Sequence, residues 1–237
     1  MAKALGRSRL AALAIAGIAL TGWAGAASAN VVTAASGAFT IEDIVPTSIT
    51  GGPAPLDAKI TFSNFAFSSP GATTTFSMTV AVTNLTSAAL FPSGRLTAFG
   101  FNIFPDATGV SDNSAVFTTF LDSNFPSFQT VDVCASTGPT CAGGGGGDLA
   151  PGASNTFTLS LVLGTDNATS IDLGANAVGS PELFDFKWQT DIGSFESQCA
   201  FGGSCSSTRV PEPASLAIFG AALAGLGLIR RRRRKAV

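Results

Sequence analysis

The sequence contains no histidine and no tyrosine. Without histidine the chain cannot assemble a Ser-His-Asp or Cys-His catalytic arrangement, and it cannot form a metal site from imidazole ligands. A run of five glycines occupies residues 143–147, but no Gly-Lys-Ser/Thr follows it, as a phosphate-binding P-loop would require. These absences exclude several large classes of hydrolase and nucleotide-binding protein.

Basic residues are also scarce away from the two ends of the chain. Three of the 13 lie near the N-terminus and six near the C-terminus. The remaining four are Lys59, Arg95, Lys187 and Arg209. All 15 acidic residues lie between Glu42 and Glu212, so four basic against 15 acidic residues give this stretch a net charge near −11. Such a domain repels nucleic acid and anionic membranes, and we expect neither as a partner.

The N-terminal residues 1–29 have the three parts of a secretory signal peptide. The positive region consists of Lys3, Arg7 and Arg9. An apolar core covers residues 10–20, and Ala27 and Ala29 form a small-x-small cleavage site. We expect signal peptidase to cut here, so that the mature chain begins near Asn30. The alternative is an N-terminal helix that is not cleaved.

The C-terminus also has three parts in a fixed order. It begins with the motif Val210, Pro211, Glu212 and Pro213. An apolar run of 16 residues follows at 214–229, about 24 Å long as a helix at ~1.5 Å per residue. This is short for a permanent span of a ~30 Å bilayer core. The chain then becomes basic at Arg230, Arg231, Arg232, Arg233, Arg234 and Lys235, which would hold that end in the cytoplasm.

This tail, residues 210–237, closely resembles the PEP-CTERM sorting signal of Gram-negative bacteria. The resemblance implies recognition by an exosortase, a membrane-embedded processing enzyme, while the tail is transiently anchored in the inner membrane. It further implies removal of the tail and delivery to the cell surface or extracellular matrix. The alternative is an ordinary C-terminal anchor with a basic stop-transfer end.

The region between the two ends, residues 30–209, has the alternation typical of β-strands. The clearest examples are residues 73–84, 155–163 and 184–190, where every second residue is apolar. Residues 59–68 alternate with a phase slip at Asn64. We predict eight to ten short strands and no helix, hence an all-β antiparallel sandwich or jelly roll. A signal-peptide helix and a C-terminal hydrophobic helix would flank this acidic domain.

Several segments of this domain are predicted to be loops. They include residues 106–113, 122–128, 134–147 and 199–205. Residues 115–121 are predicted to form a strand, and the aromatic stripe of Phe184, Phe186 and Trp188 is interpreted as core.

Four cysteines in an exported protein indicate two disulfides. Three connectivities are open, and we favour the local pairs Cys134–Cys141 and Cys199–Cys205 over the two crossed arrangements. The alternative to disulfide formation is a zinc site with four cysteine ligands. It is disfavoured because the ligand spacings exceed the usual two to four residues and because export favours oxidation.

Several short motifs within the domain occur in a recognisable order. They are Phe-Gly-Phe-Asn-Ile at 99–103, Asp-Val-Cys at 132–134, the glycine-rich loop after Cys141, and Gln-Thr-Asp-Ile-Gly-Ser-Phe-Glu at 189–196. In this order the sequence is similar to the cistern family of PEP-CTERM proteins. That resemblance implies no established activity.

Acidic clusters are the candidates for calcium binding. Asp106, Asp112 and Asn113 fall in one segment, and Asp122 lies near Asn124. Neither group has a recognised calcium-loop spacing, and the simpler interpretation is turn-forming Asp and Asn. We therefore predict no cofactor, with calcium as the alternative.

Three functions are compatible with these features. The first is a non-enzymatic surface or matrix protein, linked to exopolysaccharide or biofilm. The second is a carbohydrate-binding module, which would need exposed aromatic side chains, although the pattern around Trp188 indicates burial. The third is a secreted hydrolase that uses two carboxylates, and 15 acids are available without any pair being singled out.

Overall fold

The computed structural model describes residues 31–125, 130–142, 147–174, 183–200 and 205–210. Within these ranges the chain forms one four-residue helix, α1 (Thr47–Thr50), and fourteen strands. The strands are β1 (Val31–Thr33), β2 (Phe39–Val45), β3 (Leu56–Ser68), β4 (Thr74–Asn84), β5 (Arg95–Phe101), β6 (Ile103–Phe104), β7 (Ala107–Asp112), β8 (Thr118–Asn124), β9 (Thr130–Ser136), β10 (Ser154–Leu163), β11 (Ser170–Leu173), β12 (Leu183–Thr190), β13 (Gly193–Ala200) and β14 (Cys205–Val210).

Both predicted targeting segments fall almost wholly outside the described residues. This applies to the cleavage site at Ala27 and Ala29, to residues 211–213 of the sorting motif, and to the basic end at residues 230–235. In the ranges that the structure does describe, no helix is both long enough and apolar enough to cross a membrane.

The strands form three antiparallel sheets, which confirms the predicted all-β sandwich. One sheet has the order β2-β3-β4-β10-β7, and the second has the order β14-β13-β12-β5-β9-β8. A small third sheet, β1-β11-β6, completes the described strands. The main core lies between the inner faces of the two large sheets.

The central strands follow directly from the alternation in the sequence. Every second residue of β4 is buried, from Thr74 to Asn84, and the intervening ones are half-buried. In β3 the ladder with β4 shifts between Ser63 and Ala66, and Asn64 has a positive φ of 54°. The phase slip predicted at Asn64 is therefore a β-bulge, which returns the apolar residues to the core face.

Phenylalanine rings connect the two large sheets. Phe62 of β3 lies 5.6 Å from Phe101 of β5 and 5.7 Å from Phe184 of β12, measured between ring centroids. All three side chains are buried. Each buried ring contributes roughly 1.5–3 kcal/mol, so this aromatic contact is a principal link between the sheets.

The predicted loops contain strands that the sequence did not indicate. β7 occupies most of residues 106–113, and β8 begins later than the predicted strand at 115–121 and continues to Asn124. β13 extends to Ala200 and β14 begins at Cys205, so both ends of the loop predicted at 199–205 lie in strands. β7, β8 and β14 all lie at the edges of their sheets. An edge strand can form without a continuous buried face, and these three lack the alternation that identifies the central strands.

Candidate functional site

The C-terminal hairpin connects the folded domain to the sorting tail. β13 and β14 pair antiparallel from Ser194 opposite Val210 to Cys199 opposite Cys205. β14 is an edge strand and is paired to β13. Val210, the first residue of the predicted sorting motif, is thus the last residue of a hydrogen-bonded strand. Pro211 follows at once, and proline cannot donate to a ladder, so its position favours an end to the strand here.

Disulfides close this hairpin and one other loop. Cys199 is bonded to Cys205, and Cys134 is bonded to Cys141. The chain has no free cysteine. The favoured local connectivity is therefore confirmed, and the four-cysteine zinc site is wrong because the sulfurs are paired with one another.

A buried carboxylate joins the hairpin to the opposite sheet. Asp43 lies in β2, is fully buried, and accepts hydrogen bonds from Trp188 Nε1 at 2.9 Å and from Ser197 Oγ at 2.6 Å. Trp188 belongs to β12 and Ser197 to β13. The two bonds therefore cross from the five-stranded sheet to the six-stranded sheet beside the hairpin.

Burial controls the ionisation of Asp43. Loss of hydration raises the pKa of its carboxyl to about 6, and the hydrogen bonds from Ser197 and Trp188 act in the opposite direction. The two hydrogen bonds are needed because a buried charge without partners is strongly destabilising.

The disulfide of the hairpin lies against the same strand. Cys205 Sγ is 3.3 Å from the carbonyl oxygen of Glu42, and Cys199 Sγ is 3.5 Å from Asp43 Oδ1. Among the described residues, these two sulfurs and the Asp43 carboxylate are the group whose potential ligand atoms converge. With the disulfide formed, the sulfurs are not thiolates, so the arrangement is a packing contact that fixes β14 against β2.

The end of β14 and the sequence that follows it match a known sorting motif. The model of the PEP-CTERM protein-sorting motif matches residues 209–234. The chain carries a PEP-CTERM sorting motif. No curated protein and no solved structure matches the chain.

The PEP-CTERM motif begins inside the described fold. The match starts at Arg209, which pairs with Phe195 in the ladder between β13 and β14. The motif marks the chain as an exosortase-targeted protein that is exported and sorted to the cell surface. The domain and its sorting signal are consequently joined without an intervening linker.

The candidate calcium-binding acids are not among the described acidic and cysteine side chains whose potential ligand atoms converge. Asp106, Asp122 and Asn124 are exposed. Asp112 Oδ1 accepts a hydrogen bond from the Ser114 backbone, and its Oδ2 accepts two from Thr119. Asp112 and Asn113 line an open cavity of about 310 Å³, in which the Asn113 side-chain oxygen accepts a bond from Thr158. Their oxygens serve to hold β7 and its neighbours in place.

Aromatic side chains for stacking on sugars are scarce on the described surface. Trp188 is fully buried, as its alternation with Phe184 and Phe186 predicts. Of the described aromatic residues, Phe104 is the exposed one, with 39% of its surface accessible. A single, partly covered phenyl ring gives little support to a carbohydrate-binding platform.

Two acids do share one face of the six-stranded sheet. Asp185 of β12 and Glu196 of β13 are both buried, and Glu196 forms an ion pair with Lys187. Neither acid lines the cavity at Asp112. Sequence reasoning did not select this pair, because it depends on the register of two strands.

Sequence reasoning also missed Asp43. The one signal was an acid at an inward position of a strand, between Ile41 and Val45, where alternation calls for an apolar residue. Its partners Trp188 and Ser197 are about 150 residues away along the chain (separations of 145 and 154) and could not be assigned from local pattern.

Proposed function

We propose that this chain is a non-enzymatic structural protein of the cell surface or extracellular matrix of a Gram-negative bacterium. In this proposal signal peptidase removes residues 1–29, and the C-terminal helix anchors the chain briefly in the inner membrane. An exosortase then cuts near Pro211–Pro213, and the domain joins an exopolysaccharide or biofilm matrix. The observation that carries the proposal is the sorting motif that directly continues the edge strand of a disulfide-linked β-sandwich.

The chemistry of the described residues supports a structural role. Asp43 is engaged by Trp188 and Ser197, and Glu196 is engaged by Lys187. Asp112, which lines the open cavity, accepts three hydrogen bonds from its own neighbourhood. These carboxylates hold the fold together, and a strongly acidic exterior keeps an exported domain dispersed by self-repulsion.

Processing is tested by comparing the native host with a strain that lacks its exosortase. The native host should yield a shortened protein outside the inner membrane. The deficient strain should retain the full-length form in its membrane fraction. Normal processing in the deficient strain would refute the proposal.

A matched pair of variants tests the role of the motif itself. Glu212→Gln removes the charge of the Pro-Glu-Pro segment and should leave unprocessed protein in the membrane fraction. Asp166→Asn makes the same change at an exposed position outside the motif and should be processed normally. Equal processing of the two variants would show that the motif charge is not read.

The link to polysaccharide needs its own measurement. Processed protein from the native host should co-sediment with extracellular polysaccharide from that host. The material should remain chemically unchanged, since we assign no hydrolytic activity. Absence of co-sedimentation would limit the proposal to a surface protein, and shortening of the polysaccharide would contradict the non-enzymatic assignment.

A further inference from the structure

Three ionisable side chains lie together on the outer face of the six-stranded sheet, away from the Asp43 contact. Lys187 of β12 is directly opposite Glu196 of β13. Asp185 is two residues before Lys187, so it projects to the same face and is the diagonal neighbour of Glu196. Lys187 is 5% exposed, Asp185 1% and Glu196 0%.

Lys187 and Glu196 are in direct contact. Lys187 Nζ donates a hydrogen bond to Glu196 Oε1, and the two form an ion pair. A buried ion pair carries a large desolvation penalty, which the mutual attraction of the two charges offsets only in part. An amide between the same two groups is neutral and has a much smaller penalty.

Asp185 is placed to handle protons beside this pair. Its Oδ1 accepts a hydrogen bond from Gln198 Nε2 at 2.8 Å, which fixes the carboxyl group. Its Oδ2 is buried and has no hydrogen-bond partner in the described part of the chain. Burial raises the pKa of Asp185 to about 7; the bond from Gln198 opposes this and the nearby Glu196 adds to it. Near neutral pH this carboxyl can both donate and accept a proton, as a general acid–base group must.

We propose that Lys187 and Glu196 join in an intramolecular isopeptide bond, with Asp185 as the proton-transfer group. This modification is independent of the proposed surface function. It would cross-link β12 to β13, while the Cys199–Cys205 disulfide cross-links β13 to β14. The last three strands before the sorting motif would then be covalently connected by side chains.

The reaction balances without any oxidant, reductant or further reactant. A proton moves from the Lys187 ammonium to the Glu196 carboxylate within the ion pair. The Nζ lone pair then attacks Glu196 Cδ, which forms the C–N bond. Asp185 protonates the departing hydroxyl, the C–O bond breaks and one water leaves. The surplus proton on nitrogen returns to Asp185, which ends as it began.

Trypsin provides a direct test on the processed protein from its native host. Arg95, Lys187 and Arg209 are consecutive basic residues, so an unlinked chain gives separate peptides 96–187 and 188–209. Trypsin does not cut after a lysine whose amine is acylated. The denatured and reduced wild-type protein should therefore give one peptide, 96–209, with a mass lower than its sequence by one water. Separate peptides with unchanged masses would overturn the proposal.

Variants distinguish an isopeptide bond from a Lys187 cleavage site that trypsin simply fails to reach. Lys187→Arg keeps the positive charge and the cleavage site but removes the nucleophile, so peptides 96–187 and 188–209 should appear. Glu196→Ala removes the electrophile and should also give both peptides without loss of water. Loss of water in either variant would overturn the assignment of the bonded residues.

The role of Asp185 is tested by Asp185→Asn, which keeps the shape of the side chain. Newly purified variant should be largely unlinked, with at least a tenfold smaller linked fraction than wild type. A fully linked variant would overturn the assignment of Asp185 as the proton-transfer group.

Discussion

Trp188 donates its indole N–H to Asp43 across 2.9 Å, and this bond connects the two large sheets of the sandwich. Both residues are fully buried. A polar contact at this depth restricts how the sheets can align, because any shift between them would leave a buried carboxylate without its donor.

The pH dependence of stability is the first prediction. Asp43 has a folded-state pKa of about 6, raised chiefly by burial, against an ordinary value of 3.8. Between these values the native state holds more protons than the unfolded state, so stability should fall as pH rises from about 4 to 6. The loss due to Asp43 is roughly 3 kcal/mol at 1.36 kcal/mol per pKa unit. Burial also raises the pKa of Asp185, to about 7, which should extend the decline to that pH.

Urea unfolding of the processed protein at a series of pH values measures this decline. Asp43→Asn cannot ionise, so its profile should be flatter between pH 4 and 6 while the decline from 6 to 7 remains. Identical slopes for wild type and variant between pH 4 and 6 would contradict the assignment to Asp43.

Replacement of Trp188 by Phe tests the contact from the donor side. The variant keeps an aromatic ring but removes one donor from a buried carboxylate and leaves unfilled volume. The expected loss is about 2–4 kcal/mol in the free energy of unfolding. Circular dichroism in urea measures it. Leu85→Ala, at a side chain 45% exposed, is the control and should change stability by less than about 0.5 kcal/mol. Equal losses of stability for the two variants would contradict a stabilising contact between Trp188 and Asp43.

Removal of each of the two disulfides should have a different effect on amide hydrogen exchange in β14. Cys199→Ser with Cys205→Ser should increase amide hydrogen exchange in β14 and lower stability by about 2–3 kcal/mol. Cys134→Ser with Cys141→Ser affects a separate apolar cluster with Ala98, Phe125 and Val131, and should leave exchange in β14 unchanged. Similar exchange in β14 for both double variants would show that the hairpin does not depend on its own disulfide.

Gly100 tests the packing of that second cluster. A Cβ atom at this position would lie 2.8 Å from Val131 Cγ2 and 3.1 Å from the Val133 carbonyl oxygen. Gly100→Ala should therefore lower stability by about 1–3 kcal/mol through overpacking. Gly37→Ala meets nothing within 4 Å and is the control. Thermal unfolding compares the two, and a stable Gly100→Ala variant would mean that β9 can move away from β5.

The central strands could be predicted because they bury one complete face. In β4 the apolar residues alternate without interruption, and in β3 the phase slip at Asn64 correctly indicated a bulge. Strand β10 pairs with β4 along its whole length and shows the same regularity. In such strands the solvent-facing and core-facing residues are chemically distinct, so the sequence itself carries the pattern.

The edge strands β7, β8 and β14 and the buried acids could not be predicted in this way. β7 and β14 obtain their structure from the ladder of a neighbour rather than from their own apolar residues. The contacts of Asp43 and the pairing of Lys187 with Glu196 depend on which strands become neighbours and in what register. Local sequence does not contain that information.

The register of the last hairpin determines how the domain would respond to mechanical load. A pull on the chain beyond Val210 reaches the pair Ser194–Val210 first and the pair Cys199–Cys205 last. The ladder would open one rung at a time, at low force, until it reached the disulfide. Cys199 would then transfer the tension to β13, in the interior of the sheet, where many hydrogen bonds share it. The edge strand β14 would thus extend over a short distance until the disulfide stops it, which protects the sandwich from being unfolded from its C-terminal end.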